Sequence, residues 1–200
     1  PESLEVLAHG NRNHYSCLSF NSINICMIYA GIDYSLTSPS VCIYNSKLGD
    51  FRFERCMIYF LTDVKKLQTL FLGNVRGESF EDYNHECQRY DTISEWAIQY
   101  LIGCTMVALE DYAFAAKGRV FHIAENTGIL KYKLFQQGIP LETISPSAVK
   151  KNATGKGNAD KEMMYQSFVS ESGVLLKDII TPNKKDVGNP VSDIVDSYYK

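Results

Sequence analysis

The chain has 200 residues, 45% of them hydrophobic and 12% aromatic, enough apolar surface for one α/β domain with a sizeable core, which excludes wholesale disorder. Twenty Lys and Arg against 23 Asp and Glu give a net charge of -3, so any binding of nucleic acid must rest on a local basic patch and not on global charge. No run approaches the roughly 18 apolar residues of a membrane span, and the N-terminus lacks the basic start and apolar core of a secretory signal, so the chain reads as soluble and intracellular with no membrane partner.

In chain order, residues 1–26 come first. They hold Asn11, Asn13, Asn21 and Asn24 and a single basic residue, Arg12, the composition of a tail and not of a core. Leu4-Glu5-Val6-Leu7 also resembles part of a protease-site linker. The expectation is a non-native or disordered leader over 1–26, a natural start at Met27, and one folded domain over 27–200.

From Met27 the strand signals come quickly. Residues 28–32, 40–45 and 53–60 are rich in β-branched and aromatic types with turn residues between them, and predict three consecutive antiparallel strands. A polar stretch, 73–91, leads to Thr92-Ile93-Ser94-Glu95, a capping-box pattern that predicts a helix from Thr92 to about Gly103. The apolar run 105–109 predicts a buried central strand ending at Glu110-Asp111. A helical pattern over 120–137 stops at Gly138, residues 141–144 predict a fifth strand stopped by Ser145-Pro146, and helical patterns return at 159–171 and from Val191, where Pro190 suits a helix start. The six cysteines never form a Cys-x-x-Cys pair and several sit in apolar runs, which favours buried reduced thiols. His85-Glu86-Cys87 is the one mixed cluster among four scattered histidines, and a zinc site would need ligands from unrelated segments.

Four carboxylates hold special places in this order. Asp33 ends the first strand, Glu110 ends the fourth, and Asp193 and Asp196 stand three apart, on one face of the last helix. If the two strands are neighbours, all four acids could meet, and such a cluster would repel itself unless cations occupied it. Singly, each acid also reads as an ordinary strand-end or first-turn residue. The segment 145–161 is more unusual, with Lys150, Lys151, Lys156 and Lys161 in twelve residues and Gly155 and Gly157 freeing the backbone around Lys156. From Lys117 to Lys161 eight basic residues face three acids, a local net of +5 that leaves -8 for the rest. Phosphates are the natural target, while a solvated turn is the plain alternative. Thr154-Gly155-Lys156-Gly157 lacks the spacing of a P-loop, so no nucleotide cofactor is expected.

The order β-β-β-α-β-α-β-α-α is that of the ribonuclease H-like fold, a mixed five-stranded sheet flanked by helices, although the pattern alone also admits other α/β arrangements. Gly31-Ile32-Asp33-Tyr34-Ser35 and Ala108-Leu109-Glu110 resemble the two strand-borne catalytic segments of the RuvC family of Holliday junction resolvases. The run 149–161 is similar to that family's basic loop leading into a helix, and Asp193-Ile194-Val195-Asp196 has the spacing of its last two metal-site residues. The resemblance covers about 27–200 and implies a homodimeric endonuclease that resolves four-way branched DNA. It implies two Mg²⁺, for which Mn²⁺ would substitute, on Asp33, Glu110, Asp193 and Asp196. Lys156 and Lys161 would attend the scissile phosphate, with Lys161 in the catalytic set. Lys150, Lys151, Lys117, Arg119, Tyr112 and Phe114 would contact DNA. The family's junction-probing aromatic has Ala113 at its position here, the segment 47–91 is longer than usual, and Asp196 lies four residues from the last residue. These departures imply a phage-encoded member, acting in the cytoplasm of a bacterial cell or phage-infected host. The alternatives are a ribonuclease H-like enzyme acting on RNA–DNA hybrids or branched replication intermediates and a non-catalytic junction-binding protein. An actin-like ATPase would need a second phosphate motif, an adenosine motif and a longer chain.

Overall fold

The computed structural model describes residues 26–112 and 120–200. Of the expected leader only Cys26 falls within them, and Ala113, Phe114, Lys117 and Arg119 lie outside the described residues. The first three strands, β1 (Ile28–Asp33), β2 (Ser40–Asn45) and β3 (Cys56–Leu61), form the expected antiparallel meander, with Asp33 opposite Ser40 and Ser40 opposite Phe60. Residues 53–55 belong to a 3₁₀ turn before β3 and not to the strand. Two short strands then follow, β4 (Leu70–Phe71) just before the polar stretch and β5 (Val75–Glu78) within it. β5 runs parallel to β3, and β4 pairs antiparallel to β5.

The remaining elements are α1 (Glu86–Leu101), β6 (Met106–Glu110), α2 (Val120–Gln136), β7 (Leu141–Ile144), α3 (Pro146–Thr154), α4 (Lys161–Ser172), α5 (Leu176–Ile180) and α6 (Val191–Tyr199). The sheet order is β4-β5-β3-β2-β1-β6-β7, with β1, β6 and β7 parallel. The expected five strands, β3-β2-β1-β6-β7, are therefore contiguous within a seven-stranded mixed sheet. β4 and β5 extend it beyond β3, where Glu78 accepts hydrogen bonds from Trp96 Nε1 at 2.8 Å and the Tyr100 hydroxyl at 2.7 Å and so ties the extension to α1.

Two helix predictions need correction. α1 begins six residues before Thr92, with His85 as its N-cap, whose Nδ1 accepts from the Cys87 amide. That contact also accounts for the mixed His-Glu-Cys cluster. Thr92 is inside the helix and donates its hydroxyl to the Arg89 carbonyl, so the capping-box pattern there marks no helix start. The basic segment is not a loop throughout: Ser145 caps α3, Pro146 takes its first turn, and Gly155 ends it in the left-handed region at φ 76°, leaving only 155–160 as connection. Asp160 then caps α4 by accepting from the Met163 amide.

The period-2 alternation of the strands splits the core into two layers. Ala30 and Ile32 of β1, with Val107 and Leu109 of β6, point to one face, where Ile93, Ala97 and Leu101 of α1 and Leu130 and Leu134 of α2 cover them. The opposite face of β2 and β3 packs under Phe168 of α4, Leu176 of α5 and Val191, Ile194, Val195 and Tyr198 of α6. The α6 residues recur at the spacing of one helical stripe. Cys42, Cys56 and Cys104 are buried and free, whereas Cys87 is exposed, against the general expectation of buried thiols. No helix among the described residues is long and apolar enough to cross a membrane.

Candidate active site

Alternation along β1 places Gly31 and Asp33 on the face opposite Ala30 and Ile32, and alternation along β6 does the same for Ala108 and Glu110. In the parallel register Gly31 pairs with Ala108 and Ile32 with Leu109. Asp33 and Glu110 are the next step, so both carboxylates leave neighbouring strand ends on one face. α6 lies across this face because Gly31 has no side chain: a Cβ there would overlap the Ser197 carbonyl oxygen. Small residues at 31 and 108 thus let the helix lie close, and its acidic stripe, Asp193 and Asp196, comes to the sheet edge.

The Lys200 ammonium links the two strand acids, 2.6 Å from Asp33 Oδ1 and 3.1 Å from Glu110 Oε2, with 0% of its side chain exposed. Burial works against that charge, but Asp33 and Glu110 with Asp196 behind them hold the ammonium above its ordinary range. Asp193 is buried. Ser38 donates to its Oδ2, Ser192 donates to its Oδ1 at 3.1 Å, and Asn189 Nδ2 donates to Ser38 at 2.7 Å. Lys161, the first residue of α4, reaches this network and donates to Ser192 Oγ at 3.2 Å and Asn189 Oδ1 at 3.3 Å.

Electrostatics link all four acids. Burial pushes Asp193 up to about 7, helped by the negative charge of Asp33 and opposed by Ser38, Ser192 and Lys161. Asp196 is pushed up to about 6, first by burial and then by Asp33, with Glu110 adding to the rise and Lys200 opposing it. Among the described residues, no three carboxylate, imidazole or thiol groups close on one point as a metal-ligand set. The chemistry of the donors nonetheless fits a hard divalent cation: every donor is an anionic oxygen, the group is partly desolvated, and a positive charge already sits between two of its members.

The structure therefore joins Asp33 and Glu110 through Lys200, sets Asp193 and Asp196 on the adjoining helix face within electrostatic reach of Asp33, and places Lys161 against Ser192 and Asn189 beside Asp193. Lys150 is half-buried and Lys151 exposed on α3, Lys156 is exposed in the 155–160 connection, and none of the three pairs with an acid among the described residues. Tyr112 is partly exposed two residues past Glu110, with the Lys131 ammonium 4.6 Å from its ring centre. Part of the local basic excess is spoken for, since Lys133 pairs with Asp91 at 2.7 Å and with Glu95 on α1. Sequence reasoning missed Ser38, Asn189, Ser192 and Lys200. Lys200 alone carried a signal, since it stands four residues after Asp196 on the same helical face.

Comparison with known proteins gives the following. The family model described as crossover junction endodeoxyribonuclease RuvC matches residues 61–188, a span that includes Glu110 and the lysines from 150 to 161 but not Asp33, Asp193 or Asp196. The crossover junction endodeoxyribonuclease RuvC of Gloeobacter violaceus is 31% identical over 70 residues, 35% of this chain, and the chain spans only 40% of that relative's length. The structure of Thermus thermophilus RuvC superposes with a TM-score of 0.55 at 15% identity, covering 86% of this chain and 92% of that one. Thermus thermophilus RuvC in complex with Holliday junction substrate superposes with a TM-score of 0.56, again at 15% identity and 86% of this chain, with 91% of that one covered. At that identity the two structures establish the shared fold.

Proposed function

Since the chain belongs to the RuvC family of crossover junction endodeoxyribonucleases, we propose that it is a structure-selective DNA endonuclease that resolves four-way junctions by metal-dependent phosphodiester hydrolysis. The observation that carries this reading is the meeting of Asp33 and Glu110, at the ends of adjacent parallel strands, with the acidic face of α6. Asp33, Glu110, Asp193 and Asp196 would hold divalent cations, two Mg²⁺ by the family resemblance, with Mn²⁺ as a substitute. When bound, such ions supply an activated water and stabilise the leaving oxygen of a phosphodiester.

The chain's own groups do the rest. Ser38 and Ser192 fix the orientation of the Asp193 carboxylate through their hydrogen bonds to its two oxygens. Lys161 stands at the rim of the acidic group, where its ammonium would neutralise the scissile phosphate. Lys156 would approach the same phosphate from the 155–160 connection, and Lys150 and Lys151 would bind the flanking backbone from α3. Tyr112 and Lys131 form a cation–aromatic pair beside Glu110, suited to contact DNA at the junction. Phe114, Lys117 and Arg119 are proposed as further DNA contacts. Two symmetric nicks need two sites, which supports a homodimer, and a DNA substrate would place the enzyme in the bacterial cytoplasm.

The test is cleavage of a synthetic four-way junction, a flap, a linear duplex and an RNA–DNA hybrid, with Mg²⁺ and with EDTA. Mg²⁺-dependent paired nicks in the junction are expected. Preference for the hybrid would transfer the assignment to a ribonuclease H-like activity, and tight junction binding without cleavage would leave a junction-binding protein.

A further inference from the structure

Lys200 is the one residue of the acidic site that has no task in junction hydrolysis as proposed. Its position is unusual in three respects. Its side chain is wholly buried in an otherwise acidic pocket, and its ammonium touches one acid from each of two strands. It is also carried by the end of the helix that bears Asp193 and Asp196. An oxygen-ligated Mg²⁺ sits about 2.0–2.1 Å from its carboxylate ligands. The Lys200 nitrogen, 2.6 Å from Asp33 and 3.1 Å from Glu110, fills the space between two carboxylates that would both be needed to hold such an ion.

We infer that Lys200 is the positioning residue of the metal centre: its ammonium serves as an internal cation that keeps Asp33 and Glu110 paired until a divalent ion displaces it. The inference rests on reading Asp33 and Glu110 as metal ligands. Without a cation between them, two partly exposed carboxylates on adjacent strand ends would repel each other. Lys200 removes that repulsion and keeps both oxygens aimed at one point. The same contact competes with the metal, because both cations need the same oxygens and like charges exclude each other at this distance.

The experiment has two arms. In the first, Mn²⁺ affinity is measured by calorimetry, without DNA, for the wild-type protein and for Lys200→Met, which keeps much of the side-chain length and removes the charge. Competition predicts that Lys200→Met binds Mn²⁺ about tenfold more tightly or better, a difference well within calorimetric reach. A purely structural lysine would give the opposite result, since its loss could only loosen the site. In the second arm, the wild-type protein is acetylated at lysine with and without saturating Mn²⁺ and the modified positions are read by mass spectrometry. Lys200 should be protected in EDTA and reactive with Mn²⁺. This arm decides the matter even if the variant fails to fold. Equal Mn²⁺ affinity in both proteins, or continued protection of Lys200 at saturating Mn²⁺, would overturn the inference alone. Absence of Mn²⁺ binding in both would overturn it together with the reading of the acids as metal ligands.

Discussion

Gly31 of β1 lies directly beneath the carbonyl oxygen of Ser197 in α6, with no room between them for a methyl group. The distance between the sheet and the helix that carries Asp193 and Asp196 is therefore set by the absence of one side chain. Gly31→Ala should push α6 outward and cost about 1–3 kcal/mol, as overpacking does elsewhere. Urea denaturation reads the cost, and divalent-ion affinity should fall in the same variant because two of the four acids move. An unchanged midpoint would mean that the helix shifts freely and that its height over the sheet does not matter.

Asp33→Asn should reduce cleavage of a four-way junction by at least about 10²–10³-fold, the size of effect seen when one group acting on the developing charge is removed. Junction affinity should stay equal or rise, because one negative charge near phosphate is removed. Gel-shift and single-turnover assays on the same preparation separate the two effects, and substantial Mg²⁺-dependent cleavage by the variant would remove Asp33 from the site.

The two helix acids predict an unusual pH dependence of stability in EDTA. Burial and Asp33 raise Asp193 from an ordinary 3.8 to about 7 and Asp196 to about 6. The folded protein then keeps protons that the unfolded chain has already released, so these groups make stability fall as pH rises from about 4 to about 7, by on the order of a few kcal/mol. The difference between wild type and Asp193→Asn across that window isolates one of them. Saturating divalent ion should reverse the trend, since it favours the ionised form. A stability curve for Asp193→Asn parallel to wild type would contradict the assignment.

Ser38 lowers the affinity of Asp193 for its proton and ties it to Asn189. Ser38→Ala should cost about 1–3 kcal/mol by leaving buried partners unsatisfied. It should also move the acid limb of the cleavage–pH profile toward higher pH, because Asp193 loses a hydrogen bond to its charged form. A lower rate with an unmoved profile would assign Ser38 a packing role only.

For the lysines, position predicts a division of labour. Lys161→Ala, which removes the ammonium beside Ser192, should lower the single-turnover rate more than the affinity. The double change at Lys150 and Lys151 should do the reverse, and each phosphate interaction removed should reduce the log–log salt slope by about 0.9 on duplex arms. An unaltered slope in the double variant would make α3 an ordinary solvated helix.

Strands whose own pattern is strong were legible in the sequence. The alternation of 28–32 and 40–45 and the apolar run before Glu110 placed β1, β2 and β6 to within a residue, and with them the two strand acids. β4 and β5 were not legible: one has two residues, the other reads Val-Arg-Gly-Glu, and they pair because the edge of β3 offers partners, a tertiary effect that local propensity does not record. The early start of α1 was hidden because its cap is a histidine, outside the usual set of capping residues. Ser145-Pro146 did carry a start signal for α3, but it competes with the reading of proline as the stop of β7. The acids at 33, 110, 193 and 196 were singled out by their places at strand ends and on one helix face taken together with the family resemblance. Ser38 reaches Asp193, and Lys200 reaches Asp33, through contacts across more than 150 residues of chain, and although Lys200 stands four residues after Asp196, no local pattern announces which partners such contacts join.

That same separation governs when the proposed site can assemble. The Lys200–Asp33 contact spans 167 residues and the Ser38–Asp193 contact 155, so the pocket closes only after strands from the first part of the sequence have met a helix from the last. Pairings this remote in sequence are the slow ones in folding. During synthesis the strand bearing Asp33 leaves the ribosome long before α6 exists, and a nascent chain carries half of the acids and no assembled centre. Under the proposed function, hydrolytic competence is in this way tied to completion of the fold, and an unfinished chain released among nucleic acids would be inert.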